Sequence, residues 1–203
     1  MSRRDGGGST VNRRAAGGPG APRAMSREAS GAAFRLVAGL PFGKGLVAAR
    51  DIRKGEVVAT FDPKRAHRNP TWQSVQIGPN RHVDDPACMN LLNHSCAPTV
   101  RIHVGRHAVI ANRRIRKGEV LSFFYPSTEW RMARPFSCHC GAPGGLTEVR
   151  GARDLPLEVL RRFPLSAHIR RMKERQARKD RATRLRSAVK GRRLRARLRR
   201  TAA

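Results

Sequence analysis

Residues 118–125, Gly-Glu-Val-Leu-Ser-Phe-Phe-Tyr, form an apolar segment that ends on the only tyrosine of the chain. It overlaps a repeated sequence. The segment Ile-Arg-Lys-Gly-Glu-Val occurs at residues 115–120 and also at residues 52–57. Two copies do not make a repeat array. They indicate one kind of turn used twice, in which glycine accepts a positive φ before a strand. A tyrosine at a strand end can also be purely structural, with its ring packed and its hydroxyl bonded.

Four strands are predicted around these turns, at residues 45–49, 56–61, 107–111 and 120–124. They are short and irregularly spaced, with few helical segments between them. This pattern favours a mainly β domain over a parallel α/β domain. The sequence has neither the glycine fingerprint of a dinucleotide-binding fold nor a P-loop.

Three further motifs carry chemical groups. Gly-Lys-Gly at residues 43–45 could let the backbone approach a ligand, although a plain turn is the simpler interpretation. Asn-His-Ser-Cys at residues 93–96 could contact an adenine edge, or its side chains could only cap a loop. Phe-Ser-Cys-His-Cys-Gly at residues 136–141 contains Cys-x-Cys. This spacing favours a metal over a disulfide, because a bond between such close cysteines closes a strained ring.

In this order, over residues 34–152, the motifs resemble those of SET-domain protein-lysine methyltransferases with a post-SET segment. Residues 123–130, Phe-Phe-Tyr-Pro-Ser-Thr-Glu-Trp, look like a subgroup of small bacterial and fungal SET proteins. Most SET domains have aspartate where this chain has Phe124. The resemblance implies a mainly β fold, the β-clip SET fold of short strands with a pseudoknot, over residues 31–135. A post-SET segment would follow over residues 136–152.

The resemblance also implies a site for S-adenosylmethionine, which would donate a methyl group to the ε-amine of a lysine in a protein. Tyr125 would be the catalytic residue that orients the amine. The implied cofactor-binding residues are Lys44, Gly45, Leu46, Asn93, His94, Tyr125 and Phe136. Phe123 and Phe124 would line an apolar channel, which disfavours the charged form of the lysine. The alternative is a SET-like module that has lost catalysis and binds nucleic acid or an acidic protein through a basic tail.

A zinc site of the post-SET type would take four cysteines, of which this chain supplies Cys96, Cys138 and Cys140, with Gly145 at the fourth position. Three thiolates do not complete a closed structural zinc site. His139 lies between two of them and would have to fold back. Cys88 is better explained as a small buried apolar residue. We therefore expect a metal-free segment, with zinc as the alternative.

The net charge of +29 is concentrated near the C-terminus. Residues 161–203 carry a net +16, against +9 for residues 31–160 and +4 for residues 1–30. The first 30 residues are rich in Gly, Pro and Ala, which predicts disorder. Residues 153–203 are predicted to form a basic tail, helical or disordered. Its residues 165–203 could contact nucleic acid, and a solvated tail without a partner is the alternative.

No apolar run reaches the roughly 18 residues that a membrane span needs, and the first residues lack the apolar core of a secretory signal. The cysteines are therefore expected to be reduced thiols or metal ligands. The abundance of Arg, Ala and Gly fits a GC-rich bacterial genome. We expect a cytoplasmic monomer, which would associate with the nucleoid if its tail binds DNA.

Overall fold

A computed structural model describes residues 32–201, with side chains up to residue 192. The disorder predicted for residues 1–30 lies outside the described residues. The strands are β1 (Phe34–Leu40), β2 (Gly43–Ala48), β3 (Val57–Thr60), β4 (Val75–Gly78), β5 (Arg81–Val83), β6 (Asn93–His94), β7 (Val100–His103), β8 (Ala108–Ala111), β9 (Ser122–Phe123), β10 (Phe136–Ser137) and β11 (Glu148–Val149). The helices are α1 (Leu157–Leu160) and α2 (Ala167–Thr201). The mainly β fold with a C-terminal helix, predicted from the sequence, is confirmed.

The strands form small antiparallel units and one parallel pair. β1–β2, β4–β5 and β10–β11 are antiparallel pairs, and β3–β8–β7 is an antiparallel three-stranded sheet. The exception is β6, which pairs with β9 in parallel although 27 residues of chain separate their ends. A main core of aliphatic side chains fills the space between these units. The parallel pair matters most for the site, because it joins the Asn-His motif to the strand before Tyr125.

The repeated sequence, at residues 52–57 and 115–120, explains part of this architecture, because its two copies pair with each other. The backbone N–H of Ile52 donates to the carbonyl of Ile115 at 2.8 Å, and the reverse bond is 2.9 Å long. Both residues are fully buried. Gly55 and Gly118 have φ of +83° and +87°, as the repeated Lys-Gly turn predicted.

A second, smaller core joins the start of the predicted basic tail to the β domain. Phe124, Leu160 and Ile169 are buried together, and the ring of Phe163 stacks on Phe124 with centroids 3.7 Å apart. Residues 153–169 are therefore packed on the domain and do not behave as a separate tail.

The helix α2 leaves the domain after about two and a half turns. The Lys173 ammonium donates to the carbonyl of Leu155 at 2.8 Å, and the Gln176 amide donates to the carbonyl of Arg153 at 3.3 Å. Residues 177–190 are all exposed. Within the described range, residues 32–201, no helix is both long and apolar enough to cross a membrane.

Candidate active site and thiol cluster

The parallel pairing of β6 with β9 places His94 beside Tyr125. The register sets Asn93 opposite Ser122 and His94 opposite Phe123. The backbone N–H of Tyr125 then donates to Nδ1 of His94 at 3.3 Å, and the two rings meet edge to face with centroids 5.2 Å apart. Two motifs that lie about 30 residues apart in the sequence are thus joined by direct contact.

The Tyr125 hydroxyl is held and kept protonated. It donates to the carbonyl of Leu92 at 2.8 Å. Burial, with a smaller contribution from the nearby Glu129 carboxylate, raises the pKa of Tyr125 well above its ordinary value. The hydroxyl therefore stays an O–H donor at neutral pH, and its oxygen lone pairs remain able to accept a bond from another group.

The Gly-Lys-Gly motif meets the Asn-His motif at the edge of β2. The Asn93 amide donates to the carbonyl of Lys44 at 2.9 Å. A Cβ at Gly45 would lie 2.7 Å from the Asn93 amide nitrogen, so only glycine allows this approach. The Leu46 side chain is buried in the main core, and its carbonyl accepts from the backbone N–H of Leu121 at 2.8 Å. Lys44 is exposed.

His94 is neutral and its tautomer is defined by its contacts. Burial lowers the pKa of His94 to about 4. Because Nδ1 accepts a bond from Tyr125, the proton of the neutral ring is on Nε2, which lies 3.4 Å from the Cys96 sulfur. The ring of Phe136 lies 5.9 Å from both the His94 and the Tyr125 rings, and 37% of Phe136 is exposed. An exposed aromatic ring beside two polar aromatic side chains suits a planar heterocycle.

The two phenylalanines predicted to line a channel point to different sides. The Phe123 ring lies 4.7 Å from the Tyr125 ring and is buried in the main core. Phe124 is buried in the second core, where it stacks on Phe163. Successive side chains of a strand point to opposite faces. The structure therefore brings Phe123 against Tyr125 and turns Phe124 toward the C-terminal segment.

Glu129 anchors the turn after Tyr125, although no sequence motif assigned it to the site. Its backbone N–H donates to the Tyr125 carbonyl at 3.0 Å. Its carboxylate accepts from the backbone N–H of Gln76 at 2.6 Å and from the Thr128 hydroxyl at 3.2 Å. Burial raises the pKa of Glu129 to about 7, although both hydrogen bonds act to lower it. In the sequence, only the position of Glu129 four residues after Tyr125 could have indicated this role.

The cysteines of the two cysteine motifs come together as a cluster of three sulfurs, Cys96, Cys138 and Cys140, here called the thiol cluster. The Cys138 sulfur lies 3.4 Å from that of Cys140 and 3.9 Å from that of Cys96. Backbone N–H groups point at two of them, from Cys96 to the Cys140 sulfur at 3.3 Å and from Leu146 to the Cys96 sulfur at 3.2 Å. All three cysteines are partly exposed.

The thiols of this cluster differ in acidity. Burial raises the pKa of Cys96 to about 12, with the Leu146 N–H acting in the opposite direction. Burial also acts to raise the pKa of Cys140, but N–H bonds from Cys96 and Ala142 and the neighbouring thiols lower it to about 7. Cys140 is therefore the thiol that most readily ionises.

Two sulfur–sulfur distances, 3.4 and 3.9 Å, are close to those of a tetrahedral zinc site, but the described residues do not supply a fourth ligand. Zinc–sulfur bonds of about 2.3 Å give sulfur–sulfur distances of about 3.8 Å in a tetrahedron. Gly145 occupies the remaining side, where a Cβ would lie 3.3 Å from the Cys96 sulfur, and it has no ligand atom. The Nε2 of His94 is close enough, but it carries a proton because Nδ1 meets the N–H of Tyr125. A ligating histidine instead donates its second N–H to an acceptor, and His139 is exposed. The residues do not fit a closed structural zinc site.

The central part of the chain is similar to known proteins. Residues 43–126 match the family model of the SET domain. A curated relative, Methyltransferase flvH from Aspergillus flavus, is 36% identical over 102 residues, which are 49% of this chain and 57% of the relative. The chain thus matches little more than half the length of that relative.

Solved structures with partial similarity include one titled as KRYPTONITE in complex with mCHG DNA and SAH. It is 18% identical, and the match covers 57% of this chain and 29% of that chain with a TM-score of 0.47. Another is the methyltransferase domain of human histone-lysine N-methyltransferase SETMAR. It is also 18% identical and covers 58% of each chain with a TM-score of 0.43.

Proposed function

We propose that the protein transfers a methyl group from S-adenosylmethionine to the ε-amine of a lysine in a protein, since its residues 43–126 match the SET-domain family model. The observation that carries the proposal is the junction of three motifs around Tyr125. The N–H of Tyr125 contacts His94 at 3.3 Å, and the neighbouring Asn93 bonds the Lys44 carbonyl at 2.9 Å. The name of the 36% identical relative, a methyltransferase, supports the same reaction class.

The residues around this junction fit the proposed cofactor. S-adenosylmethionine, when bound, supplies a methyl group already activated on a sulfonium. The backbone at exposed Lys44 and the adjoining buried Gly45 would hold its amino-acid end, and Asn93 would keep that backbone in place. The partly exposed ring of Phe136, beside neutral His94, offers an apolar face for adenine. The neutral charge of His94 avoids repulsion with a positively charged cofactor.

Tyr125 would orient the substrate amine and would not remove its proton. A free lysine has a pKa of about 10.4, and only its neutral form has the lone pair that attacks the methyl carbon. The raised pKa of Tyr125 keeps its hydroxyl protonated. Its proton is directed to the Leu92 carbonyl, so its oxygen can accept an N–H of the amine. The buried Phe123 ring beside it would exclude water and disfavour the ammonium form.

Two measurements on the full chain test this function. Calorimetry should detect binding of S-adenosylmethionine, and S-adenosylmethionine with a labelled methyl group should label proteins of a cell lysate. Acid hydrolysis should then recover the label as methyl-lysine. Binding without any transfer would instead favour the inactive SET-like module. Absence of cofactor binding would contradict the assignment of the whole site.

A second proposed function, binding of nucleic acid, rests on the exposed part of α2. Residues 177–203 contain twelve Lys and Arg and one acidic residue. Each described residue from 177 to 190 is exposed, so these charges are not used by the domain. Phosphate groups neutralised by such side chains release counterions, which makes the binding steeply dependent on salt.

The matching deletion should begin after Gln176. A deletion from residue 165 would remove Ile169, which is fully buried, and the buried His168, whose Nε2 donates to the Thr128 carbonyl at 2.7 Å. Deleting residues 177–203 should abolish salt-sensitive binding to duplex DNA or RNA and leave methyl transfer to a short peptide unchanged. Changing Arg178, Arg181 and Arg184 to Gln is the milder control and should reduce the salt slope by about three. Equal binding by the full and shortened chains would contradict the proposal.

A further inference from the structure

The thiol cluster joins two distant parts of the chain at a point where a fourth side chain is missing. Cys96 follows β6, and Cys138 and Cys140 follow β10, 42 and 44 residues later. In space, the Cys138 sulfur lies 3.4 Å from the Cys140 sulfur and 3.9 Å from the Cys96 sulfur. Gly145 leaves the remaining side of the cluster without a side chain. Partly exposed thiols at this spacing need only small rotations to bond to one another.

From this arrangement we propose that the thiol cluster is an oxidation site, at which a hydroperoxide converts Cys96 and Cys138 into a disulfide. The donor set favours this chemistry over a structural metal, because only three thiols are present and the nearest imidazole nitrogen carries a proton. Backbone N–H groups that donate to two of the sulfurs prepare them for reaction. The Cys140 sulfur accepts N–H bonds from Cys96 and Ala142, and the Cys96 sulfur accepts from Leu146.

The reaction balances in three steps, with hydrogen peroxide as the oxidant. The Cys140 thiolate attacks one peroxide oxygen, the O–O bond breaks, and the sulfenic acid forms as hydroxide leaves and becomes water. The Cys138 thiol, 3.4 Å away, attacks the oxidised sulfur, the S–O bond breaks, and a second water leaves with the thiol proton. Cys96, 3.9 Å from Cys138, then attacks the Cys138 sulfur and displaces the Cys140 sulfur, which takes up the proton that Cys96 releases. In total, two thiols and one peroxide give one disulfide and two waters.

The strain in the small ring of the Cys138–Cys140 disulfide drives the last step. A Cys138–Cys140 disulfide closes a small strained ring, whereas Cys96 and Cys138 are far apart in sequence. Strained disulfides are the more easily exchanged ones. The final bond would tie the loop after His94 to the segment that carries Phe136. Oxidation would therefore fix the Phe136 ring near His94, where the two rings already lie 5.9 Å apart.

The test uses the reduced full-length chain, freed of reductant and then treated with a few equivalents of hydrogen peroxide. Free thiols should fall from four to two per chain, and peptide mass mapping without reduction should identify a Cys96–Cys138 cross-link. In Cys96→Ser the product should stop at Cys138–Cys140, and in Cys140→Ser the loss of thiols should slow at least about tenfold. Cys88→Ser is the matched control, since Cys88 is 2% exposed, and it should oxidise as the natural chain does.

Three results would overturn the proposal. One is a thiol count that stays at four under peroxide that oxidises free cysteine. Another is a cross-link that uses Cys88. The third is one tightly held zinc per purified chain that is lost in Cys138→Ser. The mapping of the natural chain needs no variant to fold. All readouts are thiol counts, masses and metal content, so they are decided independently of methyl transfer.

Discussion

Replacing the buried carboxylate of Glu129 by an amide should change the pH dependence of stability in a calculable way. Burial raises the pKa of Glu129 from 4.5 to about 7. Between these values the folded chain holds a proton that the unfolded chain has lost, so this group's contribution to stability falls as the pH rises. A tenfold change in proton affinity is about 1.4 kcal/mol, so this contribution should decline by about 2–3 kcal/mol between pH 5 and pH 8.

Glu129→Gln removes this titration but keeps an oxygen that can accept from Gln76. The variant and the natural chain should differ little near pH 5, and the variant should be about 2–3 kcal/mol more stable near pH 8. Denaturant unfolding at several pH values measures the difference. Burial lowers the pKa values of His82 and His168 and gives the opposite slope, but both chains share these groups, so their effect cancels.

Glu56→Gln is the control for a general effect of removing a carboxylate. Hydrogen bonds from Arg50 and the Arg53 backbone lower the pKa of Glu56, so this group stays ionised from pH 5 to pH 8. Its stability difference from the natural chain should therefore be constant over that range. If Glu129→Gln also gave a constant difference, the buried carboxylate would not titrate as the structure indicates.

Three further predictions concern the site and the boundary of the domain. Gly45→Ala should weaken S-adenosylmethionine binding about tenfold or more in calorimetry, because its Cβ displaces the Asn93 amide, whereas Gly105→Ala, with nearest contacts of 3.7 Å, should bind normally. Methyl transfer should rise up to about tenfold per pH unit from pH 7 to 9 as the substrate amine is deprotonated, and a fall within this range would contradict the protonated state of Tyr125. Leu160→Ala should cost about 2–5 kcal/mol in unfolding experiments, and Leu185→Ala, at a residue 58% exposed, less than about 0.5 kcal/mol. Equal losses for the two leucines would show that residues 153–169 are not part of the domain.

Local backbone chemistry made part of this structure predictable. The repeated Lys-Gly text required a positive φ, and Gly55 and Gly118 both have it. The class of fold also followed from short irregular strands. The pairing of the two repeats with each other could not be predicted, because it depends on contacts between residues 63 positions apart.

Tertiary contacts decided the features that the sequence did not reveal. Phe123 and Phe124 are chemically alike, and only the strand's orientation places one at Tyr125 and the other on Phe163. In the sequence, Glu129 resembles any surface glutamate. Only the structure shows that its carboxylate accepts a hydrogen bond from the Gln76 backbone. The segment after residue 153 is so basic that its few apolar side chains, such as Leu160, did not indicate packing on the domain.

A paired measurement on Tyr125→Phe tests whether the Tyr125 hydroxyl is needed for methyl transfer. The variant keeps the ring against His94 and Phe123 and loses only the hydroxyl that bonds the Leu92 carbonyl. We expect cofactor affinity within a few-fold of the natural chain, and methyl transfer to lysine that is lower by about a hundredfold or more. Full transfer activity in a variant that binds S-adenosylmethionine normally would contradict this expectation.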